Sequence, residues 1–515
     1  MNKAGDSLDS VDPATGEILG TVVNSGRADV EKAVERSRKA FAEWSGRSFR
    51  ERAAVMRKAR SIMIAKRNEL ADLIVRETGK PRLEAVLHDL HFSLDDLLYY
   101  EKNSEKLLRD EKVNLGIAFL GQKNRVIFEP AGVVAVINPW NFPFLLSFRS
   151  LVPALMAGNS VILKPSEYTP LCGVRIGEIM KEAGAPEGVF TVVTGDGRTG
   201  QYLVEAGVDR IVFTGSAATG RKVMKAASGN LTPLVLELGG KDPAIVFSDA
   251  DLEWTSAGIV WSSLLFTGQS CSSIERIYVQ EDVADRFIEM VVEGTKLLKV
   301  GNGMDPDTDI GPMIAPFQVE NVERHIEDAV GKGAKVLTGG KRIGGHDSLF
   351  FEPTVLSDVN HDMLVMKEET FGPVLGIMKF KTVDEAVELA NDTAYGLATS
   401  VWTSDLEKGK RIARRIHAGC VSVNNRAIEV KTMPWGGIKD SGMGKTSSRY
   451  GMLNFVNIKC ITVDGRNRKR EDWWYPYEGG KDRFFSDILP DLHSDEKIRV
   501  LKAYIKFLRG IRTDE

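Results

Sequence analysis

A cysteine set among small polar residues is the first candidate for chemistry in this chain. Cys271 ends the segment Gly268-Gln-Ser-Cys271, which follows an apolar stretch with a helical pattern. A nucleophilic thiol needs access to its substrate and stabilisation of its thiolate, and small polar neighbours leave it accessible. Because an isolated cysteine is usually inert, the assignment of Cys271 depends on the residues that accompany it.

An acidic residue upstream is the matching candidate for a general base. Glu237 stands in an apolar stretch and is followed by Leu238 and two glycines. Burial disfavours the charged form of a carboxyl group and raises its pKa, so a buried glutamate can accept a proton near neutral pH. Glu237 is therefore the candidate base for a reaction at a thiol.

Two segments at the ends of predicted strands could bind a dinucleotide. Phe213-Thr-Gly215-Ser216 precedes a helix that begins near Arg221, and the N–H groups of a helix N-terminus bind anions. Lys164 and Glu167 follow another strand, where a carboxylate could accept hydrogen bonds from a ribose 2′-hydroxyl and repel a 2′-phosphate. The alternatives are an ordinary strand-to-helix turn and a surface ion pair.

A third glycine-rich segment matches the usual dinucleotide pattern more closely but is a weaker candidate. Gly195-Asp-Gly-Arg-Thr-Gly200 lies between a predicted strand and a predicted helix, as the pattern requires. The acidic residue expected about 20 positions further on, which would bind the ribose, is missing. We therefore do not expect this loop to bind the phosphates in the usual way.

The elements around these segments predict an α/β protein. Asp29 is the predicted cap of a helix through Trp44, a second helical pattern runs from Glu51 to Thr78, and Gly79 ends it. Buried apolar stretches then alternate with helices, which indicates a parallel sheet, and the alternation restarts after Gly240 as a second α/β domain. The apolar stretches of the first sheet are residues 132–137, 160–164, 190–193 and 210–213.

Composition excludes several other classes of protein. The net charge of −3 gives no electrostatic argument for binding nucleic acid. The four cysteines form no CxxC pair, so a disulfide framework and a zinc site are not expected, and no metal is predicted. Scattered cysteines, no signal-peptide pattern and no long apolar stretch predict a cytoplasmic protein.

Six motifs in one order carry a resemblance to a known family. They are Pro139-Trp-Asn-Phe-Pro143, Lys164-Pro-Ser-Glu167, Phe213-Thr-Gly-Ser216, Glu237-Leu-Gly-Gly240, Gly268-Gln-Ser-Cys271 and Glu369-Thr-Phe-Gly-Pro373. With them, the chain resembles the aldehyde dehydrogenase superfamily over roughly residues 8 to 465. The resemblance implies an NAD(P)-dependent enzyme of the non-acylating type that oxidises an aldehyde to a carboxylic acid.

The resemblance also implies a role for each matching residue. Cys271 attacks the aldehyde, Asn141 and the backbone N–H of Cys271 stabilise the oxyanion, and Glu237 activates the water that hydrolyses the thioester. Glu167 favours NAD over NADP, with NADP as an alternative cofactor. The residues implied to contact the cofactor are Pro139, Trp140, Lys164, Ser166, Glu167, Gly215, Ser216, Leu238, Glu369 and Phe371.

A division into domains and an assembly follow from the same resemblance. The implied fold has a Rossmann-like cofactor domain, a second α/β catalytic domain and a small β oligomerisation element. The predicted boundaries are 1–112 and 130–240 for the cofactor domain, 241–440 for the catalytic domain, 113–129 and 441–465 for the oligomerisation element, and 466–515 for a C-terminal extension. The implied assembly is a homodimer or homotetramer.

Two departures from the family pattern bear on the substrate and on the surface. Arg149 stands where many relatives carry a different residue, and it could bind a substrate carboxylate or form an internal ion pair. The chain also continues past Gly465, where Ser494 is the predicted cap of a basic amphipathic helix ending near Gly510. Packing of this helix on a subunit is favoured over contact with a membrane, because an aromatic cluster precedes it.

The choice of substrate and two other functions stay open. Succinate semialdehyde, a medium- or long-chain aldehyde and an aromatic aldehyde all remain candidates. A CoA-acylating dehydrogenase is one alternative, but such relatives generally lack a glutamate at the position of Glu237. A non-catalytic protein with the same fold is the other, and the presence of Cys271, Glu237 and Asn141 argues against it.

Overall fold

The computed structural model describes residues 7–115, 122–426, 430–465, 474–477 and 481–510. The strands within these ranges are β1 Ser7–Val11, β2 Ile18–Val23, β3 Glu111–Val113, β4 Gln122–Pro130, β5 Val133–Ile137, β6 Ser160–Lys164, β7 Phe190–Val192, β8 Arg210–Thr214, β9 Leu234–Glu237, β10 Asp242–Val246, β11 Ile274–Gln280, β12 Lys335–Thr338, β13 Thr354–Ser357, β14 Val374–Phe380, β15 Ala398–Trp402, β16 Cys420–Val423, β17 Gly442–Met443 and β18 Val456–Asp464.

Helices separate most of these strands. They are α1 Arg27–Ser45, α2 Phe49–Ala65, α3 Arg67–Thr78, α4 Arg82–Glu84, α5 Phe92–Leu107, α6 Pro143–Met156, α7 Pro170–Glu182, α8 Gly197–Glu205, α9 Ala217–Ala227, α10 Leu252–Leu264, α11 Glu281–Lys296, α12 Pro316–Gly331, α13 Leu364–Lys367, α14 Val383–Asn391, α15 Leu406–Ala413, α16 Ser448–Leu453, α17 Lys481–Leu492 and α18 Lys497–Gly510. A π-helical segment, Ala85–His91, connects α4 to α5.

Contacts divide the chain into two compact units. The first comprises Met1–Leu107 and Pro130–Val456, and the second comprises Leu108–Glu129 and Asn457–Glu515. The first unit contains two large sheets, and the second contains a three-stranded sheet and two helices. The α/β class predicted from the sequence is confirmed.

The first large sheet has the strand order β17-β9-β8-β5-β6-β7. Strands β5 to β9 run parallel, and their apolar side chains are buried on both faces under helices, as an all-parallel arrangement requires. The chain first passes from β5 to β6 and β7 on one side and then returns to β8 and β9 on the other. The carboxyl ends of β5 and β8 therefore border a switch point, where ligands bind in open α/β sheets.

The second large sheet has the order β12-β13-β14-β11-β10-β15-β16. Its strands from β13 to β16 in this order are parallel, the edge strand β12 is antiparallel to β13, and two apolar clusters cover the faces of the sheet. The loops that enter β11 and β14 at their amino ends contain Cys271 and Glu369, respectively. This sheet therefore supplies the second wall of a cleft whose first wall is the carboxyl edge of the first sheet.

Local chemistry explains where several helices begin, and it corrects two details of the predicted pattern. Asp29 does not cap α1: the cap is Gly26, whose N–H donates to the Asp29 side chain at 3.1 Å. The predicted helix from Glu51 to Thr78 is broken at Lys66, where α2 ends and α3 begins. A third element, the hairpin of β1 and β2, is longer than predicted because β1 has a polar composition that resembles a loop.

The second unit consists of short pieces. Strands β18, β4 and β3 form its sheet, and residues 116–121 between β3 and β4 lie outside the described ranges. Helices α17 and α18 pack against each other. Ser494 lies just before α18, which begins at Lys497, and its hydroxyl accepts a hydrogen bond from the N–H of Glu496 at 3.1 Å. No helix among the described residues is long and apolar enough to cross a bilayer.

Candidate active site

A pocket opens between the two large sheets at the switch point. Its volume is about 210 Å³. The lining residues are Pro139, Trp140, Asn141, Thr214, Gly215, Ser216, Glu237, Leu238, Gly239, Cys271, Phe317, Gln318, Asn321, Glu369 and Phe371. The three residues predicted to be catalytic therefore lie in one pocket with most of those predicted to contact a cofactor.

The loop before Cys271 has a backbone conformation that few residues adopt. Phe266 and Thr267 have φ angles of 50° and 57°, and Gly268 follows with φ 72°. A Cβ atom on Gly268 would collide with the carbonyl of Gly372, so only glycine fits this close approach. Strained backbone of this kind persists only where its surroundings hold it in place. The sharp turn directs Cys271 into the pocket, where its side chain is partly exposed.

Asn141 is positioned by a buried ion pair that the sequence analysis did not single out. The Lys80 ammonium donates to the carbonyl of Asn141 at 2.7 Å and to Asp89 at 2.6 Å. The other oxygen of Asp89 accepts hydrogen bonds from the first N–H groups of α6, those of Phe144 and Leu145. The side-chain amide of Asn141 then donates to the Gln269 carbonyl at 3.2 Å, close to Cys271 in the chain.

Glu237 ends β9 at the opposite side of the pocket from the loop of Asn141. Its side chain is buried, and its carboxylate lies beside Gly436, where a Cβ atom would be 2.7 Å from one of its oxygens. The carbonyl of Glu237 accepts a hydrogen bond from Gly215 at 3.1 Å, which ties this strand end to the neighbouring one. A carboxylate on a rigid strand end and a thiol on a tight loop therefore face the same pocket.

A second buried ion pair positions Glu369 and Phe371. The Lys241 ammonium is hydrogen-bonded to Glu275, whose carboxylate accepts the N–H groups of Thr370 at 2.8 Å and Phe371 at 3.0 Å. Phe371 packs edge-on against Trp140 with the ring centroids 5.4 Å apart. The loop that carries Glu369 is thus fixed to the second sheet through its own backbone.

The Glu369 carboxyl group is held in an environment that favours its neutral form. Burial raises its pKa to about 8, and the negative charge of Glu275 adds to the shift. The Gly240 N–H donates to it at 3.0 Å, which opposes the shift without cancelling it. A Cβ atom on Gly239 would collide with this carboxyl group, so the glycine after Leu238 makes room for it.

The remaining predicted cofactor residues lie beside the pocket. Ser216 is the N-cap of α9 and accepts a hydrogen bond from the N–H of Thr219, so the helix N-terminus faces the cleft. The Lys164 ammonium lies 3.5 Å from Glu167, and the Ser166 hydroxyl donates to Glu167 at 3.4 Å. Glu167 lines a neighbouring cavity that shares Phe317 with the pocket of Cys271.

The glycine-rich loop from Gly195 to Gly200 has a structural role in this fold. Asp196 caps α8 by accepting the N–H of Arg198, and it also pairs with the Arg198 guanidinium at 2.9 Å. The Thr199 hydroxyl donates to the Ser25 carbonyl at 2.7 Å. Neither glycine at its ends lines the pocket of Cys271, in agreement with the expectation that this loop is not the usual phosphate loop.

Arg149 does not line the pocket of Cys271. It lies on α6, fully buried, and pairs with Asp96 at 3.3 Å. The sequence left open whether Arg149 binds a substrate carboxylate or forms an internal ion pair, and the structure favours the ion pair. The reason is the direction of α6, whose N-terminal end approaches the pocket while Arg149 faces α5.

Comparison with known proteins gives the same family along the whole chain. The model of the aldehyde dehydrogenase family matches residues 1–461. Betaine aldehyde dehydrogenase of Bacillus subtilis (strain 168) is 39% identical over 88% of this chain and 93% of its own length. Mitochondrial succinate-semialdehyde dehydrogenase of Arabidopsis thaliana is 38% identical over 88% and 86%. The 4,4'-diapolycopene aldehyde oxidase of Methylomonas sp is 37% identical over 96% and 92%.

Solved structures agree with these relatives. A betaine aldehyde dehydrogenase from Staphylococcus aureus, crystallised in complex with NAD+, has a TM-score of 0.87 and 34% identity and covers 91% of this chain and 94% of its own. This chain belongs to the aldehyde dehydrogenase family, whose members are NAD(P)-dependent enzymes.

Proposed function

We propose that this protein oxidises an aldehyde to a carboxylic acid through a thioester on Cys271, which water activated by Glu237 then hydrolyses. One observation carries the proposal: Cys271, Glu237 and Asn141 line a single pocket at the switch point of the first sheet. The pocket brings a nucleophile, a base and an amide donor together from three separate loops. This is the minimum set for acyl chemistry at a thiol.

The first step is attack of the Cys271 thiolate on the aldehyde carbon. The carbonyl oxygen then carries negative charge and is stabilised by the Asn141 side-chain amide and the backbone N–H of Cys271. Donors fixed before the reaction stabilise such an oxygen best, because no reorganisation is needed as the charge develops. The hydrogen bonds from Lys80 to the Asn141 loop support this role, since they hold the amide in place.

The residues around the pocket fit a nicotinamide dinucleotide. A helix N-terminus capped by Ser216 suits a phosphate, Lys164 and Glu167 suit a ribose, and Trp140 and Phe371 offer apolar walls to a planar ring. Pro139, Ser166, Gly215, Leu238 and Glu369 are assigned to the same cofactor site. When bound, the cofactor supplies the hydride acceptor that oxidation of the aldehyde carbon requires.

Glu237 completes the reaction by acting on water. Its carboxylate accepts a proton from water as the hydroxide adds to the thioester carbonyl, the C–S bond breaks, and Cys271 leaves as a thiolate. The products are the carboxylic acid and the free cysteine. The presence of a buried glutamate facing the pocket favours hydrolysis over transfer of the acyl group to CoA.

NAD is the proposed cofactor, with NADP as a weaker alternative. The carboxylate of Glu167 lies beside the ammonium of Lys164, where it would accept hydrogen bonds from a 2′-hydroxyl and repel a 2′-phosphate. Measuring kcat/KM for both cofactors tests this assignment. A higher value for NADP would refute it.

The predicted domains and assembly belong to this proposal. The proposed domain boundaries are 1–112 with 130–240 for the cofactor domain, 241–440 for the catalytic domain, 113–129 with 441–465 for the oligomerisation element and 466–515 for the extension. A homodimer or homotetramer built through the three-stranded sheet is proposed, because its edge strand β18 is exposed and exposed strand edges usually find partners. The scattered cysteines support the cytoplasm as the compartment.

The substrate is proposed only as a class. Betaine aldehyde, succinate semialdehyde and a diapolycopene aldehyde appear in the names of the relatives. The burial of Arg149 with Asp96 removes one argument for a short acidic aldehyde. Apolar residues, namely Phe142, Leu145 and Leu265 with Phe92 and Leu146 packed against them, form a cluster on the side of the Asn141 loop. None of these five side chains lines the pocket of Cys271, so short acidic, aromatic and long aliphatic aldehydes all stay candidates.

The test measures reduction of the nicotinamide by its absorbance, with short acidic, aromatic and long aliphatic aldehydes as substrates. We expect turnover without CoA, and its loss in Cys271→Ala while NAD binding persists. Cys460→Ala, which removes an exposed thiol far from the pocket in sequence, is the matched control and should retain full activity. Full activity of Cys271→Ala would reject the mechanism, and a strict need for CoA would favour the acylating alternative.

A further inference from the structure

The last two helices bury one shared face. Ile488 of α17 and Ala503 and Phe507 of α18 are buried, and the rings of Phe485 and Phe507 meet edge-on with their centroids 5.7 Å apart. Small buried contacts of this kind are enough to hold two short helices together. The pair is therefore an amphipathic structure whose inner face is already occupied.

A second apolar face of α18 points away from this contact. Ile498, Leu501 and Ile505 follow one another at spacings of three and four residues, so they lie on one side of the helix. Their exposed fractions are 70%, 54% and 42%. A contiguous exposed apolar stripe of this kind marks an interaction surface rather than an ordinary solvent face.

The charge on α18 has a single sign. Its sequence contains no aspartate or glutamate, and its basic residues are Lys497, Arg499, Lys502, Lys506 and Arg509. Arg499 pairs with Asp491 of α17 at 2.8 Å. A helix with an apolar stripe flanked by lysines has the composition of segments that lie in the interface of an anionic membrane.

Exposed aromatic side chains precede the helices. Trp474, Tyr475 and Tyr477 are all largely exposed, and the two tyrosine rings are tilted by 40° with their centroids 4.6 Å apart. Tryptophan and tyrosine are enriched where a protein meets the headgroups of a bilayer, because each ring is apolar with a polar tip. The aromatic residues and the stripe on α18 belong to the same C-terminal extension.

The alignment with one of these relatives reaches into this extension. The Methylomonas enzyme covers 96% of this chain, so the unmatched part is shorter than the segment after Gly465. The Bacillus relative covers only 88%. A diapolycopene aldehyde is by its name a polyene that carries a carbonyl group, and such a largely apolar molecule partitions into membranes rather than into water. Part of the extension thus aligns with a protein named for a lipid-soluble aldehyde.

We propose that α18 and the aromatic residues Trp474, Tyr475 and Tyr477, together called the docking surface, bind the enzyme to an anionic membrane surface. The sequence favoured packing on a subunit, but these aromatic side chains are exposed rather than packed. The docking surface would lie in the plane of the interface, because a helix of 14 residues is shorter than the ~20 residues that cross a bilayer. Docking itself is independent of the proposed function. Its consequence, access to aldehydes dissolved in the membrane, rests on the proposed function.

A second copy of this chain fits the docking surface less well. In a two-fold dimer the same patch occurs on both sides, so α18 packed on α18 would bring two sets of lysines together. Like charges facing each other across an interface are costly. Anionic lipid headgroups instead attract each nearby lysine by about 1 kcal/mol. The positive charge therefore favours the membrane over self-association.

The experiment is co-sedimentation of the full chain with vesicles of phosphatidylcholine alone and of phosphatidylcholine mixed with phosphatidylserine. We expect binding to the mixed vesicles that weakens as salt is added. The variant Ile498→Ser/Leu501→Ser/Ile505→Ser should lower the partition coefficient roughly tenfold or more on the mixed vesicles. Lys502→Gln/Lys506→Gln should lower it roughly tenfold on mixed vesicles and leave the phosphatidylcholine result unchanged.

Matched variants on the first unit serve as controls. Leu297→Ser removes an equally exposed apolar side chain, and Lys32→Gln/Lys58→Gln removes two exposed lysines, and both should bind vesicles like the wild type. Oxidation of a water-soluble aldehyde reports folding of every variant. If the full chain stays in the supernatant with mixed vesicles, or if the serine variant binds unchanged, docking on membranes is overturned.

The same measurements distinguish the other outcomes. The wild type could fail to bind vesicles while the serine variant has a lower molecular mass in light scattering, as a smaller oligomer. That result would assign the surface to a second copy and overturn the proposal. Vesicle binding by a protein that oxidises no aldehyde would reject the proposed function and support docking. The two ideas can therefore fail separately.

Discussion

The loops of the pocket and the C-terminal helices use charge in opposite ways. In the pocket, Lys80 with Asp89 and Lys241 with Glu275 are buried pairs that hydrogen-bond to loop backbone. On α18, lysines lie at the surface around an apolar stripe. Buried pairs fix atoms in space, whereas exposed charge and apolar side chains leave a surface free to adapt to what it contacts.

The two regions also differ in the free-energy cost of placing their charges. Removing an ion pair from water is costly, and its attraction repays that cost only when the remaining hydrogen bonds are also satisfied. Asp89 and Glu275 each meet that condition by accepting backbone N–H groups of the loops they hold. The pocket is therefore rigid at the atoms where bonds form and break, whereas residues 474–477 and 481–510 of the extension show no comparable buried ion pair.

The largest expected effect comes from removing the proposed general base, Glu237. Glu237→Gln should slow hydrolysis of the thioester by roughly 100-fold to 10,000-fold, because the amide cannot accept the proton of water. Rapid-mixing measurements should then give a burst of reduced cofactor followed by slow turnover.

The control for that variant is Glu368→Gln. Glu368 is a nearby carboxylate that is half-exposed and paired with Arg324, outside the residues that line the pocket. It should keep the steady-state rate of the wild type. A Glu237→Gln enzyme without a burst and with an unchanged rate would mean that another group is the base.

Breaking a buried pair should cost stability as well as activity. Lys80→Met leaves Asp89 charged and without its cation in the interior, so the free energy of unfolding should fall by about 3–5 kcal/mol. The Asn141 loop loses a donor at the same time, so kcat should fall more than KM rises. Denaturant unfolding and steady-state kinetics measure the two effects.

The double variant Lys80→Met/Asp89→Asn sharpens this prediction. Asparagine removes the unpaired charge and keeps an acceptor for the N–H groups of α6, so much of the lost stability should return. The kinetic defect should remain, because the donor to the Asn141 carbonyl is still missing. Recovery of both properties would show that the pair does not position the loop.

Glu369 should make stability depend on pH. Its pKa, about 8 in the folded protein, is above the ordinary 4.5, so between these values the folded state retains a proton that the unfolded state releases. Stability therefore falls as pH rises from about 5 to about 8, by on the order of 4 kcal/mol at most. Glu369→Gln should remove this decrease in unfolding experiments across that range.

Glu368 is again the control, because its effect on stability should depend on pH in the opposite direction to that of Glu369. Its pKa is lowered chiefly by the hydrogen bond from Arg324, so any stability it contributes is present at neutral pH and is lost as pH falls. Glu368→Gln should leave the decrease between about 5 and 8 unchanged. An identical pH profile for the wild type and Glu369→Gln would show that Glu369 is already ionised in the folded state.

The smallest effect is expected on α18. Ile498→Ser changes an exposed side chain and should alter the free energy of unfolding by no more than about 0.5 kcal/mol. Phe507→Ser, on the buried face of the same helix, should loosen the helix pair and increase its proteolysis. If Ile498→Ser and Phe507→Ser change the free energy of unfolding and the proteolysis of the helix pair equally, α18 does not have one exposed and one buried face.

The sequence by itself determined the family, the α/β class and ten of the fifteen residues that line the pocket, but it missed Phe317, Gln318 and Asn321 of α12. Each of the six motifs has a local chemical requirement, such as a glycine where a side chain would collide or a cap at a helix start, and a few adjacent residues are enough to show such requirements. The buried strands of the first sheet could be predicted for the same reason, since a short apolar run is a local pattern.

Only the tertiary structure decided which distant charges meet. Lys80 lies in the turn after α3 and Asp89 in the π-helical segment, and nothing in the sequence links them to Asn141. Glu275 lies in β11, and nothing in the sequence links it to Phe371. The two alternatives for Arg149 were equally compatible with its neighbours in sequence, and the packing of α6 on α5 favoured the ion pair. Long-range pairing depends on how elements pack, and packing is set by many weak contacts that no short segment records.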